Sequence, residues 1–174
     1  MDLAKLQQSL ANPKRAPVES WNPPFCGDID IRIGTDGRWY YMNSPIGRMP
    51  LVKLFASVLK QEDDEYFLVT PAEKVRIKVD DVPFVITEWQ FVEHNNVKFI
   101  QVTSNIDERY LLSAQHPLLQ IDDLPAMQIR DQFLARVHRN VYYQWAELVD
   151  TEQNGEAPGY YLTSGGERFF FAER

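Results

Sequence analysis

Three alternating charged residues, Asp28, Asp30 and Arg32, are the first positions in the sequence that could do chemistry. They alternate with isoleucines in the segment DIDIRI, a period of two that predicts a β-strand with one buried face. On the other face, successive side chains lie about 6.6–6.8 Å apart and can share a polar ligand. The two carboxylates could hold Mg²⁺ or act as acid and base. The alternative is a solvated strand face with a modest ion pair.

Four further basic residues could bind an anion. Arg48, in SPIGR, stands just before a predicted helix, where free backbone N–H groups favour negative charge. Its planar guanidinium suits phosphate or carboxylate. Lys74, Arg76 and Lys78 share one face of the predicted strand KVRIKV, and Arg32 approaches that face if the two strands pair. The alternative is that these side chains pair with nearby acids or face water.

The other residue types carry no signature of a metal or cofactor enzyme. His94, His116 and His138 lack metal-ligand spacing, and Cys26 has no second thiol to join it. No glycine-rich phosphate loop is present, and GTDG is typical of a hairpin turn. We therefore predict no catalytic residue, no metal site and no cofactor, and we expect Cys26 to be a small buried hydrophobe.

Length and charge narrow the class of protein. A chain of 174 residues can form one large domain or two small ones that share a seam. The net charge of −7 repels phosphate backbones, so we expect no nucleic-acid partner. No apolar run approaches the roughly 20 residues that cross a bilayer, so we expect no membrane role. The first residues, MDLAKLQQSL, predict a short amphipathic helix rather than a signal peptide, and with one cysteine they predict a cytoplasmic protein.

The pattern of elements predicts an α+β fold in three segments. Residues 1–24 form a helix and a proline-rich strap, residues 25–82 a first unit, and residues 83–174 a second unit with a β-meander. The first unit has two strands joined by a turn at Gly37, a helix within MPLVKLFASVLKQ and a hairpin over EYFLVT and KVRIKV. The second has a turn at Asn95 and Asn96, a hairpin in AMQIRDQFLARVHR, a helix VYYQWAELV capped by Asn140, and a hairpin GYYLTSGGERFFF.

A repeat relates the two units. The hairpin that begins at Tyr66 recurs 94 positions later at Tyr160. The helices align at an offset of 90, which places Phe55 opposite Trp145. Arg130 follows MQI as Arg32 follows IDI. This predicts an internal duplication of hairpin, helix and hairpin whose seam could hold a ligand, whereas chance similarity of amphipathic hairpins is the alternative.

The segment FCGDIDIRIGTDGRWYYMNSPIGRMPLVKLFASVLKQEDDEYFLVTPAEKVRIKVDDVPF resembles the bacterial family of domain of unknown function 1285. The similarity is close from Phe25 to Phe84 and continues more loosely to the C-terminus. It implies a duplicated α+β core and a C-terminal half similar to a pleckstrin-homology barrel. It also implies a nucleotide-type ligand at the seam and a role in stress signalling.

Our leading hypothesis is a non-catalytic module that binds a small anionic or nucleotide-like ligand at the seam. The predicted ligand-binding residues are Asp28, Asp30, Arg32, Arg48, Lys74, Arg76 and Arg130. One alternative is a Mg²⁺-assisted phosphohydrolase that uses Asp28 and Asp30, and another is a protein-interaction module that uses the barrel-like half. A third carboxylate beside the first two in a concave pocket would favour the hydrolase, and exposure to open water would disfavour it.

Overall fold

The computed structural model describes residues 16–174, and these divide into two compact units, 16–81 and 82–174. Each unit is mostly β-sheet with one α-helix. The predicted amphipathic helix at the start of the chain lies outside the described residues. Among residues 16–174, neither helix has the length and apolar character to cross a bilayer.

Unit 1 contains one six-stranded sheet with the strand order β3-β2-β1-β6-β5-β4. Neighbouring strands are antiparallel except for the central pair, β1 and β6, which are parallel. Its elements are β1 (Phe25–Ile33), β2 (Trp39–Tyr41), β3 (Ser44–Pro45), α1 (Met49–Ala56), β4 (Leu59–Glu62), β5 (Glu65–Val69) and β6 (Lys74–Val79).

The alternation of β1 decides which face of the sheet is the core. The isoleucines of DIDIRI are buried, whereas Asp28 and Asp30 are exposed and Arg32 is half-buried, as the sequence predicts. Trp39 of β2 pairs with Ile33 of β1. The Trp39 ring stacks on Phe55 of α1 with the ring centroids 6.3 Å apart. Helix α1 therefore covers the isoleucine face and leaves the charged face of β1 uncovered by the helix.

Helix α1 is shorter than the apolar pattern predicts. It begins after Arg48 and ends at Ala56, where the hydroxyl of Ser57 donates to the carbonyl of Leu54 at 2.5 Å. Leu59 then enters β4 and pairs with Leu68 of β5. Because a strand partner is available, pairing overrides the helical period, and the sequence reading missed β4. The described part of the proline-rich strap contacts this edge, since the ammonium of Lys60 donates to the carbonyl of Trp21 at 3.4 Å.

Unit 2 contains a six-stranded sheet, order β10-β11-β12-β7-β8-β9, and a three-stranded sheet, order β13-β14-β15. Only the β12–β7 pair is parallel among the pairs of these described strands. Its elements are β7 (Phe84–His94), β8 (Val97–Ser104), β9 (Arg109–Leu111), β10 (Leu118–Ile121), β11 (Leu124–Gln128), β12 (Leu134–Val137), α2 (Arg139–Ala146), β13 (Asp150–Thr151), β14 (Tyr160–Ser164) and β15 (Glu167–Ala172).

Two local predictions in unit 2 have different outcomes. The hairpin turn at Asn95 and Asn96 is confirmed, with φ of 52° and 63°, the positive values that a two-residue turn requires. The predicted N-cap Asn140 is wrong. Helix α2 is capped by His138, whose Nδ1 accepts from the backbone N–H of Asn140 at 3.1 Å. Trp145 of α2 is fully buried, with its ring centroid 6.4 Å from that of Trp89 on β7.

Throughout residues 16–174 the strands form runs of three consecutive antiparallel strands. These meanders are β1–β3, β4–β6, β7–β9, β10–β12 and β13–β15. In each large sheet the first strand of one meander pairs in parallel with the last strand of the next, so the two sheets share one strand order. The fifth meander forms a sheet of its own. Its strand β15 contacts β10 and β11 of the larger sheet. The predicted unit of hairpin, helix and hairpin thus lacked one strand on each side of the helix.

One cluster of side chains links β4, β5 and β6 in unit 1. The ammonium of Lys74 donates to the carboxylate of Glu62 at 2.8 Å. The same ammonium lies 4.8 Å from the centroid of the Phe67 ring. Leu68 pairs with Val75 in the same hairpin. Lys74 therefore links the edge strand β4 to the hairpin, through its ion pair with Glu62 and its cation–π contact with Phe67.

The same cluster occurs 94 positions later in unit 2. The Nε of Arg168 donates to the carboxylate of Glu156 at 2.7 Å, and its guanidinium lies 5.0 Å from the Tyr161 ring centroid. Leu162 pairs with Phe169, the register that the offset requires. The two hairpins thus share register, ion pair and cation–π contact. They differ in setting, because β6 has a parallel neighbour in β1 whereas β15 pairs only with β14 in its sheet.

Candidate functional site

A half-open groove of about 340 Å³ follows the parallel pair of β1 and β6 in unit 1. Its charged lining is Asp28, Asp30, Arg76 and Lys78, and the intervening isoleucines line its floor. The strand register places Asp28 beside Arg76 and Arg32 beside Lys78, so Arg32 approaches the basic face as the sequence predicts. We call this the unit 1 groove.

Arg76 is the fixed cation of the unit 1 groove. Its Nε donates to Oδ1 of Asp28 at 2.8 Å, and its guanidinium reaches Glu65 at 3.3 Å. It also lies 5.2 Å from the centroid of the Phe25 ring. The hydrogen bond to Asp28 raises the pKa of Arg76 above its ordinary value. The guanidinium is therefore oriented by three neighbours, and with 39% of its side chain exposed it keeps a free side toward solvent.

Asp30 and Lys78 are the two charged groups of the unit 1 groove that face water without a charged partner among the described residues. Both side chains are exposed, and within residues 16–174 neither makes an ion pair or a side-chain hydrogen bond. Each is therefore available to a ligand at no cost in broken contacts. The groove presents a carboxylate and an ammonium beside an oriented guanidinium.

Two of the other predicted cations are already neutralised. Arg32 donates to the carboxylate of Asp80 at 2.6 Å and lies 4.3 Å from the Tyr40 ring centroid. Lys74 is held by Glu62 in the cluster described above. The predicted cationic row is thus interrupted by acids from β4 and from the end of β6. An anion at Arg32 or Lys74 would have to compete with these carboxylates, as an anion at Arg76 would with Asp28 and Glu65.

Arg48 is not brought together with the groove residues. It is exposed at the start of α1, and that helix packs through Phe55 on Trp39. The helix therefore covers the isoleucine face, whereas Asp28 and Asp30 lie on the opposite face. Among the described residues no ion pair or hydrogen bond joins the Arg48 side chain to another group.

Arg130 lies in unit 2, in the short helical turn Arg130–Gln132 that follows β11. Its side chain is only 12% exposed and lies 3.5 Å from the carboxylate of Glu108. The guanidinium also lies 5.2 Å from the Phe84 ring centroid. These contacts make Arg130 part of the packing of unit 2, rather than the counterpart of Arg32 on an exposed face.

The two aspartates have no further metal-binding partner in the part of the chain that the structure describes. There, no three His, Cys, Asp or Glu side chains come close enough to hold a metal ion. Asp28 instead accepts from Arg76. Cys26 is exposed, with its thiol donating to the carbonyl of Pro24 at 3.3 Å. The expectation that Cys26 is buried is wrong, because β1 begins with three residues outside the core pattern.

Two family models match the chain, one for each unit. One family model, the N-terminal domain of domain of unknown function 1285 (DUF1285), matches residues 16–82, and a second, the C-terminal domain of DUF1285, matches residues 83–171. The chain belongs to the DUF1285 family. The sequence resemblance is thereby confirmed. No functionally curated protein matches the chain.

Two solved structures of DUF1285 family proteins are similar to this one. The protein from Silicibacter pomeroyi DSS-3 has a TM-score of 0.85 at 33% identity, over 98% of this chain and 94% of that chain. The protein from Shewanella baltica OS155 has a TM-score of 0.56 at 28% identity, over 67% of this chain and 90% of that chain.

The DUF1285 C-terminal domain carries a pocket that the sequence analysis missed. It has a volume of about 280 Å³ and is lined by Leu124, Pro125, Arg136, Val137, Arg139, Tyr142 and Tyr143. Three of these residues, Arg139, Tyr142 and Tyr143, are spaced as neighbours on one helix surface. That spacing was a usable signal, but only the fold shows that β11 and β12 complete the pocket. We call this the unit 2 pocket.

Proposed function

We propose that this DUF1285 chain is a non-catalytic module that binds a small anionic, nucleotide-like ligand in the unit 1 groove. The observation that carries the proposal is the presence in one groove of two exposed, opposite charges, Asp30 and Lys78, beside the oriented guanidinium of Arg76. A phosphate group would bind Lys78 and the free side of Arg76 through charge-assisted hydrogen bonds. Hydroxyl or amine donors would bind the Asp30 carboxylate.

The mixed charge of the groove selects among anions. A simple anion without hydrogen-bond donors would meet repulsion from Asp30 and Asp28. A nucleotide-like ligand carries both a phosphate and sugar or base donors, so it satisfies both kinds of lining group. The Phe25 ring beside Arg76 is 49% exposed and offers a face on which a base could stack. The volume of about 340 Å³ suits a ligand the size of a mononucleotide.

A thermal-shift assay with nucleoside mono-, di- and cyclic phosphates tests the proposal. At a ligand concentration of 100 times Kd, binding adds about 2.7 kcal/mol to the free energy of unfolding. Because each kcal/mol raises Tm by roughly 2–4 °C for a chain of this size, we expect a rise of several degrees for at least one compound.

Matched variants locate the binding. Lys78→Gln and Asp30→Asn remove the two available charges and should diminish the rise in Tm. Arg38→Gln is the control, since its side chain is 72% exposed in the turn before β2 and, within residues 16–174, pairs only with the nearby Asp36, at 3.7 Å. No rise in Tm with any nucleotide, with or without Mg²⁺, would refute the nucleotide proposal and favour a protein-interaction module.

Magnesium-assisted phosphate hydrolysis is a second proposal, supported by the presence of both Asp28 and Asp30 in the groove lining. The hydrogen bond from Arg76 to Asp28 weighs against it, since that carboxylate is already engaged. Release of inorganic phosphate from a bound nucleotide in Mg²⁺, abolished by Asp30→Asn, would support hydrolysis. Binding without release would support the non-catalytic module.

The wider expectations belong to the same proposal. The shared register and contacts of the β5–β6 and β14–β15 hairpins support an internal duplication. The comparison of unit 2 with a pleckstrin-homology barrel and the role in stress signalling are proposals that rest on the family resemblance. The cytoplasmic location is a proposal that rests on the single cysteine, Cys26, and on the first residues of the sequence. The groove lies within unit 1, so the proposed site differs from the predicted position at a seam.

A further inference from the structure

We propose that the unit 2 pocket is a second binding site, which takes a small amphiphilic anion with an apolar ring and a single carboxylate or phosphate head. The site is separate from the unit 1 groove, and its lining has a different chemistry. The proposal rests on two arginines and an ordered aromatic wall that converge on one pocket.

The two arginines supply the anion-binding part of the pocket. Arg136 reaches it from β12 and is oriented by a hydrogen bond from its guanidinium to the carbonyl of Ile121 at 3.0 Å. Arg139 is exposed at the first position of α2, and in residues 16–174 its side chain has no ion pair or hydrogen bond. A guanidinium is planar and presents several N–H donors, which suits a carboxylate or phosphate head. Arg139 is therefore the group most available to an anionic head.

The tyrosines of α2 supply an apolar wall that is held in place. Tyr142 stacks on Phe171 of β15, with ring centroids 4.9 Å apart and an interplanar angle of 28°. Tyr143 meets Tyr142 edge to face, with centroids 5.9 Å apart. Tyr143 is nevertheless 61% exposed and Leu124 is 50% exposed. A ligand ring placed between them would remove this apolar surface from water.

The charge of the lining separates this pocket from the unit 1 groove. Among its lining residues, all of them in the described chain, there is no carboxylate, whereas two line the groove. A single anionic head therefore meets the guanidinium of Arg139, with the Arg136 side chain beside it and no acid in the lining, and the ligand needs no hydrogen-bond donors. The volume of about 280 Å³ is near the lower end of small-molecule pockets, which suits one ring and not a dinucleotide.

Titration of the full chain with phenyl phosphate, phenylacetate and the uncharged 2-phenylethanol tests the proposal, with binding followed by NMR chemical shifts. We expect at least one of the anions to bind saturably and the alcohol to bind about tenfold or more weakly, because it lacks the charged hydrogen bonds. Arg139→Gln should weaken binding of the anion by about tenfold or more for the same reason. Tyr143→Ala should weaken binding of both anion and alcohol.

The control is Arg109→Gln, which removes an exposed arginine from β9 in the same unit and should leave binding unchanged. Lys78→Gln should also leave it unchanged, which keeps this test independent of the unit 1 groove. Absence of saturable binding by both anions would overturn the proposal. Equal binding of anion and alcohol, or equal loss in Arg109→Gln and Arg139→Gln, would overturn it as well.

Discussion

At the scale of single residues, two buried aromatic side chains fix the helices. Phe55 of α1 and Trp145 of α2 are both 0% exposed, and each faces a tryptophan of its own unit, Trp39 and Trp89 respectively. The sequence predicts that both lie on the core faces of their helices, and the burial confirms it. Each anchors a helix of only eight residues, which is too short to be stable in isolation.

Truncation of either anchor should be strongly destabilising. We expect Phe55→Ala and Trp145→Ala each to lower the free energy of unfolding by about 3–5 kcal/mol, because a cavity replaces a buried ring. Urea unfolding followed by circular dichroism measures the change. Tyr143→Ala, on the exposed side of α2, is the control and should cost only about 1 kcal/mol, the scale of its edge-to-face contact with Tyr142. A loss at Phe55 no larger than that of the control would contradict the packing described.

Burial and pairing at single residues were only partly predictable. The exposure of Asp28 and Asp30 follows from strand alternation. The partners of the cations do not, because Arg32 binds Asp80 and Arg76 binds Asp28 across 48 positions. Those pairs exist only because β1 and β6 lie side by side in parallel, and local sequence does not encode that pairing.

At the scale of elements, the helix boundaries are decided by neighbours and caps rather than by apolar periodicity. Helix α1 stops where Leu59 finds a strand partner, which a single-sequence pattern does not contain. The cap of helix α2 lies two residues before the expected Asn140, because the imidazole of His138 serves as the acceptor. Histidine is not among the residues usually favoured at the N-cap position, so the sequence predicts Asn140 as the cap instead. Strongly alternating strands and the paired-asparagine turn were predictable because their signals are local.

The cap of α2 gives a direct test of this boundary. His138→Ala removes the acceptor for the backbone N–H of Asn140, and we expect a loss of about 0.5–2 kcal/mol in the free energy of unfolding. His138→Asp supplies a carboxylate acceptor at the same position and should recover stability. Chemical denaturation of the three proteins measures this. If Asn140→Ala were as destabilising as His138→Ala while His138→Asp gave no recovery, the assigned cap would be wrong.

At the scale of the whole molecule, ion pairs between separate segments of the chain link stability to pH. The hydrogen bond from Lys74 lowers the pKa of Glu62 below its ordinary value of 4.5. In unit 2 the hydrogen bond from Arg168 lowers the pKa of Glu156 in the same way. A carboxyl with a lower pKa in the folded state contributes stability above its unfolded pKa. That contribution is lost as the pH falls through the folded pKa.

Glu62→Gln should reveal this dependence. The difference in free energy of unfolding between the native chain and the variant should be largest above about pH 5 and should shrink as the pH falls below the unfolded pKa of Glu62. Urea unfolding at a series of pH values from 6 to about 3 measures it. Glu88→Gln, which replaces an exposed glutamate of β7, is the control with no expected trend. A difference that grows toward low pH would have the wrong sign for a carboxyl stabilised by Lys74.

We propose above that the unit 1 groove binds a nucleotide-like ligand through Asp30, Arg76 and Lys78. Mapping of backbone amide chemical shifts during titration with nucleoside mono-, di- and cyclic phosphates tests it most directly. We expect saturable shifts concentrated in β1 and β6 for at least one compound, and their loss in Lys78→Gln but not in Arg38→Gln. Saturable shifts confined to other strands, or no shifts with any of these compounds, would contradict it.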